Sequence, residues 1–356
     1  MGRMVQHTMA FPDALGTGVI IQWTPAGDAV GDEPSVEAAR RDIAALIDGY
    51  ESVLSRFRGD STVSAMRAGG GAFDFPDWAG PLFDLCDVLC AATDGAFDPC
   101  VGEDLIRLGY DARYSFTMAP GAAGSLGAIH GRPTWRGDVE RRGTTTLVTT
   151  RPVALDFGAC GKGYLVDLIA AVLRSHDSFA RGFVIDAGGD LLVETETPIA
   201  IGLEDPRDPN DAVGVAHVGL GAFCASAPSR RHWTVPGVGA PVAVHHLIDA
   251  VSGTPVDDVV ATWVHVPAPG LRAAPRTTDE TAHAMRLSAM FPTALADGLA
   301  TALFTTDPNV LHDGLCGLHG PLAMRGWPSS AFSCAVLKAD RTAVVSTGFP
   351  GTLFAH

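Results

Sequence analysis

Residues 155–167 read LDFGACGKGYLVD, and the fold is read outward from them. The stretch begins apolar, breaks at Gly158, Gly161 and Gly163 around Lys162, and continues into Leu165, Val166, Leu168, Ile169, Ala171, Val172 and Leu173. That apolar stripe has helical spacing. A strand that ends in glycines and reopens as a helix turns main-chain N–H groups toward an anion at the positive helix end. Lys162 adds a mobile point charge at the same place. A plain strand-to-helix turn with a solvated lysine has the same residues, and the stretch alone does not separate the two. It is not a Walker A loop: Asp156 stands where the first glycine would fall, and Gly163 where a Ser or Thr would hold magnesium. A GxGxxG fingerprint is absent too. A metal that serves a phosphate here must be held from elsewhere in the chain.

Upstream, TGVIIQW (17–23) reads as a strand. A helix follows from Pro34 to about 56, with Val36, Ala39, Ile43, Leu46, Ile47, Tyr50, Val53 and Leu54 on one buried face. SRFRGDSTVS (55–64) reads as polar turn, 80–93 as a second helix, and GAFDPCVG (95–102) as a turn. Residues 107–133 and 267–287 read as loop-rich. Short strands are expected near 134–139, 145–149 and 152–157. FVIDAGGDLLVE (183–194) reads as strand, glycine turn, strand. Further strands are expected at 198–203, 213–219, 222–226, 241–248 and 258–266, then a helix at 292–304, a short helix at 307–314, and strands near 331–337 and 342–347. Irregular alternation with short connections predicts an α+β chain of mostly antiparallel sheet. The organisation expected is one domain over 15–350, with tails at 1–14 and 351–356.

The 356 residues carry a formal charge of −15, which disfavours nucleic acid and anionic membrane as partners. Seven cysteines are scattered with no CxxC pair, which predicts reduced thiols and no zinc site. No apolar run spans a bilayer, so membrane insertion is not expected. The N-terminal residues show no signal-peptide pattern, so the expected location is cytoplasmic, or else the chain is trimmed of an export leader.

Several residues could carry chemistry. Asp297 and Thr301 stand four apart on the 292–304 helix, so their oxygens share a face and suit a hard cation such as magnesium. A solvated aspartate and a threonine bonded to its own helix would look the same. Asp190 closes AGGD (187–190), where Gly188 and Gly189 allow close approach to a ligand or simply make a hairpin. His246 follows an apolar strand and can serve as a base or as a structural histidine. Ser226, Arg230 and Arg231 could offer a hydroxyl and charge to a phosphate, or belong to the surface.

Taken in order, these segments resemble the ApbE family of FAD:protein FMN transferases. SRFRGDSTVS resembles S-R-[FY]-R-x-D-S-x-x-S, GAFDPCVG resembles GAFDPTVG, and LDFGACGKGYLVD is similar to LDLGGIAKGYAVD. VIDAGGDLLV resembles the NAGGD turn, GLEDPRDP the GIEDP loop, HHLIDAVSG the HIIDPxTG segment, and ALADGLATALF the ADALATAL helix. The matches run from about residue 15 to 350. The resemblance implies an ApbE-like α+β fold, with mixed, mostly antiparallel sheets, flanking helices and two closely packed lobes. It also implies Mg²⁺-dependent transfer of FMN from FAD to a threonine or serine hydroxyl of an acceptor flavoprotein, through a phosphoester and with release of AMP. An FAD pyrophosphatase giving FMN and AMP and a non-catalytic FAD-binding protein are the alternatives within the resemblance. By motif position it implies Asp297, Thr301 and the Gly161 carbonyl as metal ligands and Lys162 beside the pyrophosphate. It places Gly188, Gly189, Asp190, Ser226 and Arg231 at the flavin nucleotide and makes His246 the base. The sequence departs from the family at Ala225, Ala227 and Ser229, at Arg67 where asparagine is common, at Ala250, and at Cys100. Those departures bear on flavin-pocket shape and acceptor recognition more than on metal and phosphate.

Overall fold

The strand Val259–Pro267 shows how the molecule is layered. Thr262, Val264 and Val266 point one way and Ala261 and Trp263 the other, and all five are buried. A strand alternates its side chains between faces, so this sheet is covered on both. In a computed structural model that describes residues 6–25, 33–235, 241–268, 290–318 and 332–354, the sheet has eight strands, all antiparallel. Their order across the sheet is His7–Phe11, Val19–Trp23, Phe183–Asp186, Asp190–Glu194, Gly221–Ser226, Val259–Pro267, Ser333–Lys338 and Ala343–Val345.

One face packs against helices. Glu33–Leu54 buries Ala39, Ile43, Ile47, Tyr50 and Leu54, the face its spacing predicts. Gly161–Arg174 and Pro292–Ala302 lie side by side beneath the sheet, with Gly80–Ala92 and Pro308–Cys316 outside them. At the contact of the two central helices, a Cβ on residue 163 would run into the Thr293 carbonyl, so Gly163 sets how closely they approach. The opposite face buries Val184, Val193, Phe223 and Trp263 against Leu203, Val213 and Val218 of a three-stranded sheet. The fold class is α+β and mostly antiparallel, as read from the sequence.

Some local expectations are corrected. Residues 134–139 form no strand: Thr134 accepts the Gly137 N–H and caps a helical turn, Trp135–Asp138. Residues 152–157 are extended but unpaired in any sheet, and single main-chain bonds tie Val153 to Met66 and Asp156 to Pro99. Within the polar 55–64 segment, Ser61 caps a helix, Thr62–Ala68. Both segments expected as tails contain strands: His7–Phe11 is an edge of the large sheet, and Gly351–Leu353 pairs with Asp208–Val218. Residues 107–133 hold only two short 3₁₀ turns and the end of the Gly102–Arg107 helix, and are largely irregular as expected. Most of the expected 267–287 loop lies outside the described residues. All seven cysteines are free thiols, and only Cys316 is exposed. Among the described residues no helix is long and apolar enough to cross a membrane.

Candidate active site

The glycine turn is fixed from below. The Asp156 carboxylate accepts the Gly158 N–H at 2.7 Å and pairs with Arg56. Burial alone would raise its pKa, but the Arg56 charge and these hydrogen bonds hold it below the ordinary carboxylate value. The helix Gly161–Arg174 then starts at Cys160 with no cap from that side chain; its Gly161 N–H bonds the Phe157 carbonyl at 2.7 Å and its Gly163 N–H a carboxylate of the neighbouring helix. Lys162 sits in that first turn and folds back, its Nζ donating to the Gly158 carbonyl at 3.0 Å.

Two buried carboxylates flank Lys162. Its Nζ is 3.0 Å from Asp190 Oδ2 and 3.2 Å from Asp297 Oδ1. Asp190 stands on the helix-facing side of its strand, opposite Cys224 in register. Asp297 comes from the neighbouring helix and also accepts the Gly163 N–H at 3.0 Å. Burial pushes the Asp297 pKa upward, with the Asp190 charge adding to it, while Lys162 and the Gly163 N–H oppose the shift and favour the carboxylate. Burial disfavours the ammonium of Lys162, but the two carboxylates outweigh that and keep it protonated.

The helix bearing Asp297 is held by the first. Asp167 of Gly161–Arg174 accepts the N–H groups of Thr293 and Ala294 at 3.1 and 2.8 Å, which caps Pro292–Ala302 from outside. One turn beyond Asp297, Thr301 directs its hydroxyl at the Ala159 carbonyl, 3.3 Å away. The Gly161 carbonyl accepts the Tyr50 hydroxyl at 2.7 Å. The Ala159 carbonyl thus lies beside Thr301, and the Gly161 carbonyl, the one the motif comparison indicates, keeps a second lone pair beside its bond to Tyr50. The donors gathered here are a carboxylate, a hydroxyl and main-chain carbonyls, all hard oxygens, and two buried carboxylates share one ammonium. Such a set fits a magnesium ion. Among the described residues no three His, Cys, Asp or Glu side chains cluster as a metal centre.

Above this floor opens a cavity of about 1010 Å³. Gly161, Lys162, Gly188, Gly189, Ser226, Arg231, His246 and Thr301 all line it. Asp190 and Asp297 lie behind the wall and act on it through Lys162. Gly188 and Gly189 have φ of 70° and 105°, and the Gly189 N–H bonds Asp186 at 3.0 Å. A Cβ on residue 188 would come within 2.9 Å of Thr17, so the turn and the Thr17 wall require glycine there. Arg231 donates to the Gly16 carbonyl at 3.0 Å.

His246 places Nδ1 3.3 Å from the Arg231 carbonyl. A carbonyl only accepts, so in this contact Nδ1 carries the proton. Burial lowers the ring's pKa to about 4. The neutral imidazole therefore keeps Nε2 unprotonated. Tyr110 meets the ring edge-on, and Phe57, Tyr110 and Tyr114 form an aromatic wall, with Phe57 and Tyr114 stacked at 5.3 Å. Arg56 lies over Phe57 and Tyr110, 4.2 and 4.8 Å from the ring centres. The sequence pointed to none of Tyr50, Arg56, Asp156 or this wall as site residues. Arg56 and Phe57 do lie in a recognisable segment, SRFRGDSTVS. Tyr110 and Tyr114 sit where periodicity is weak and carry no local signal.

An antiparallel sheet over two adjacent helices, with a lysine between buried carboxylates under a cavity of about 1010 Å³, defines an α+β protein with a candidate anion-binding site. The chain belongs to the ApbE family, whose model matches residues 15–278. It is 27% identical over 308 residues to the FAD:protein FMN transferase of Treponema pallidum (strain Nichols), covering 76% of this chain and 71% of that one. It is 25% identical over 228 residues to the FAD:protein FMN transferase of Klebsiella pneumoniae (strain 342), covering 62% and 68%. In three dimensions it is similar to the ApbE protein of Thermotoga maritima, with a TM-score of 0.69 at 20% identity over 96% of this chain and 97% of that one. It is likewise similar to the flavin transferase ApbE of Vibrio cholerae, with a TM-score of 0.69 at 18% identity over 97% and 98%.

Proposed function

We propose that this protein transfers the FMN part of FAD to a threonine or serine hydroxyl of an acceptor flavoprotein, with AMP as the leaving group. One observation carries this reading: a lysine in the first turn of a helix and a histidine whose Nδ1 faces a main-chain carbonyl line the same cavity. Family membership and the names of the relatives support it.

FAD enters as substrate, its pyrophosphate beside Lys162 in the first turn of Gly161–Arg174, its rings against the aromatic wall. Gly188, Gly189, Ser226 and Arg231 shape the nucleotide pocket. Asp297, Thr301 and the carbonyl of Gly161, with that of Ala159 beside them, would hold magnesium, which when bound neutralises charge on the pyrophosphate. Nε2 of His246 takes the proton of the acceptor hydroxyl as its oxygen attacks the FMN phosphorus. The bond from that phosphorus to the bridging oxygen breaks, and AMP departs with the electron pair. Lys162 stabilises the oxygens on which charge collects. We extend the proposal to a cytoplasmic location, where the free thiols of this chain would stay reduced.

The test is incubation with FAD and Mg²⁺, with and without an acceptor domain, following AMP by chromatography and the acceptor by intact mass. AMP together with an FMN adduct is expected. AMP with free FMN in the presence of competent acceptor would assign a pyrophosphatase, and FAD bound but uncut a binding protein.

A further inference from the structure

A second concavity, of about 760 Å³, lies on the far side of the Arg56–Phe57 wall, and both residues line it and the cavity alike. Its rim is basic. Arg67 and Arg151 are 53% and 46% exposed, Arg107 is 32% exposed, and His130 is exposed beside them. Glu103 is the one acidic side chain among its described lining residues. It is shared, 3.8 Å from Arg67 and 3.1 Å from Arg107, and Asp138 reaches Arg151 from outside at 2.8 Å. These carboxylates are themselves part-exposed, so the pairs are loosely held and solvent-screened.

Such a rim is unusual on a chain with fifteen more acidic than basic residues. Most of that surface repels an acidic partner, and this groove attracts one. Its position adds a constraint. A protein hydroxyl must reach His246 on an extended segment, and the residues flanking that hydroxyl must lie over the cavity's edge. We propose that this groove docks an acidic segment of the acceptor protein, with carboxylates near the modified hydroxyl paired to Arg67, Arg107 and Arg151. The assignment rests on the transferase reading for its purpose and on the groove's own charge for its chemistry.

Two measurements test it on the full chain. The first is fluorescence anisotropy with a labelled peptide of alternating aspartate and alanine, against an asparagine–alanine control. The acidic peptide should bind at least about 10-fold more tightly. Arg67→Glu with Arg151→Glu should erase that preference and leave FAD affinity and melting temperature unchanged, and the two glutamine variants serve as folding controls. Equal binding of the peptides, or a preference that survives charge reversal, overturns the proposal. So does an oligonucleotide of the same charge that displaces the peptide while the peptide cannot displace it. The second measurement is transfer to an acceptor domain that the wild type flavinylates: the double variant should raise the acceptor KM about 10-fold with the FAD KM unchanged. A wild type that keeps the peptide preference yet attaches FMN to no acceptor domain overturns the transferase reading and leaves the groove as an acidic-peptide site.

Discussion

Replacing Lys162 by Met would leave Asp190 and Asp297 facing each other in the interior with no ammonium between them. Breaking a buried pair from one side costs on the order of 3 kcal/mol. A lower denaturant midpoint together with loss of AMP release is therefore expected; an unchanged midpoint would mean that solvent reaches the carboxylates. Lys162 is one of two lysines in the chain, the other being Lys338, so basic positions elsewhere are filled by arginine. A compact, mobile charge is what distinguishes lysine from arginine, and only the glycine turn and one distant strand use it. Asp297→Ala should lower Mg²⁺-dependent turnover at least about 100-fold, measured at saturating FAD. For His246 the sign of the pH effect is fixed by burial. Its folded pKa, about 4, lies below its ordinary value, so its contribution to stability is present above pH 6.5 and is lost as pH falls toward 4. By the same token Nε2 stays free to accept a proton, so transfer should show no loss from histidine titration between about pH 8 and 5.5. A rate that halves near pH 6.5 and follows His246 would contradict the buried, neutral ring. His246→Ala should slow transfer far more than it weakens FAD binding, which equilibrium titration and single-turnover kinetics separate.

At the scale of elements, the site depends on how two helices are joined. Asp167 caps the helix that carries Asp297 and Thr301, so its loss acts on the proposed metal ligands without touching them. Asp167→Ala should cost about 1–2 kcal/mol in stability and weaken the Mg²⁺ dependence of turnover, read as a higher half-saturating Mg²⁺ concentration. Gly163→Ala should be harmful for another reason, because the added methyl meets the Thr293 main chain at the contact and neither helix can yield locally. These elements were largely legible in the sequence. The glycine turn, the stripe after it, and the 292–304 helix all follow from spacing. The misses have physical causes. Thr134 and Ser61 are capping residues whose helices are too short for periodicity to register. Residues 152–157 have strand-like composition because they are buried, but no neighbouring strand pairs with them.

At the scale of the molecule, a sheet buried on both faces separates two cores, and the second reaches the cavity only through Ile201, Phe223, Ala227, Ala261 and Trp263 among its described residues. Leu337, 4% exposed, belongs to that core and lies outside the cavity lining. Leu337→Ala should cost about 2–5 kcal/mol and lower the melting temperature, while the FAD KM at permissive temperature stays near that of the wild type. Class and antiparallel character were readable from irregular alternation and short connections. The partners of the end strands were not, because pairing between residues so far apart leaves no local trace.

The distribution of sulfur has a practical result. Of the seven thiols, Cys86, Cys90, Cys100, Cys160, Cys224 and Cys334 are buried and Cys316 is exposed. An aromatic disulfide reagent added to the native chain should release one equivalent of chromophore quickly and the other six only as the chain opens. The protein thus carries its own label-free count of unfolding, and Cys316 offers a ready point for attaching a dye without altering any residue of the site.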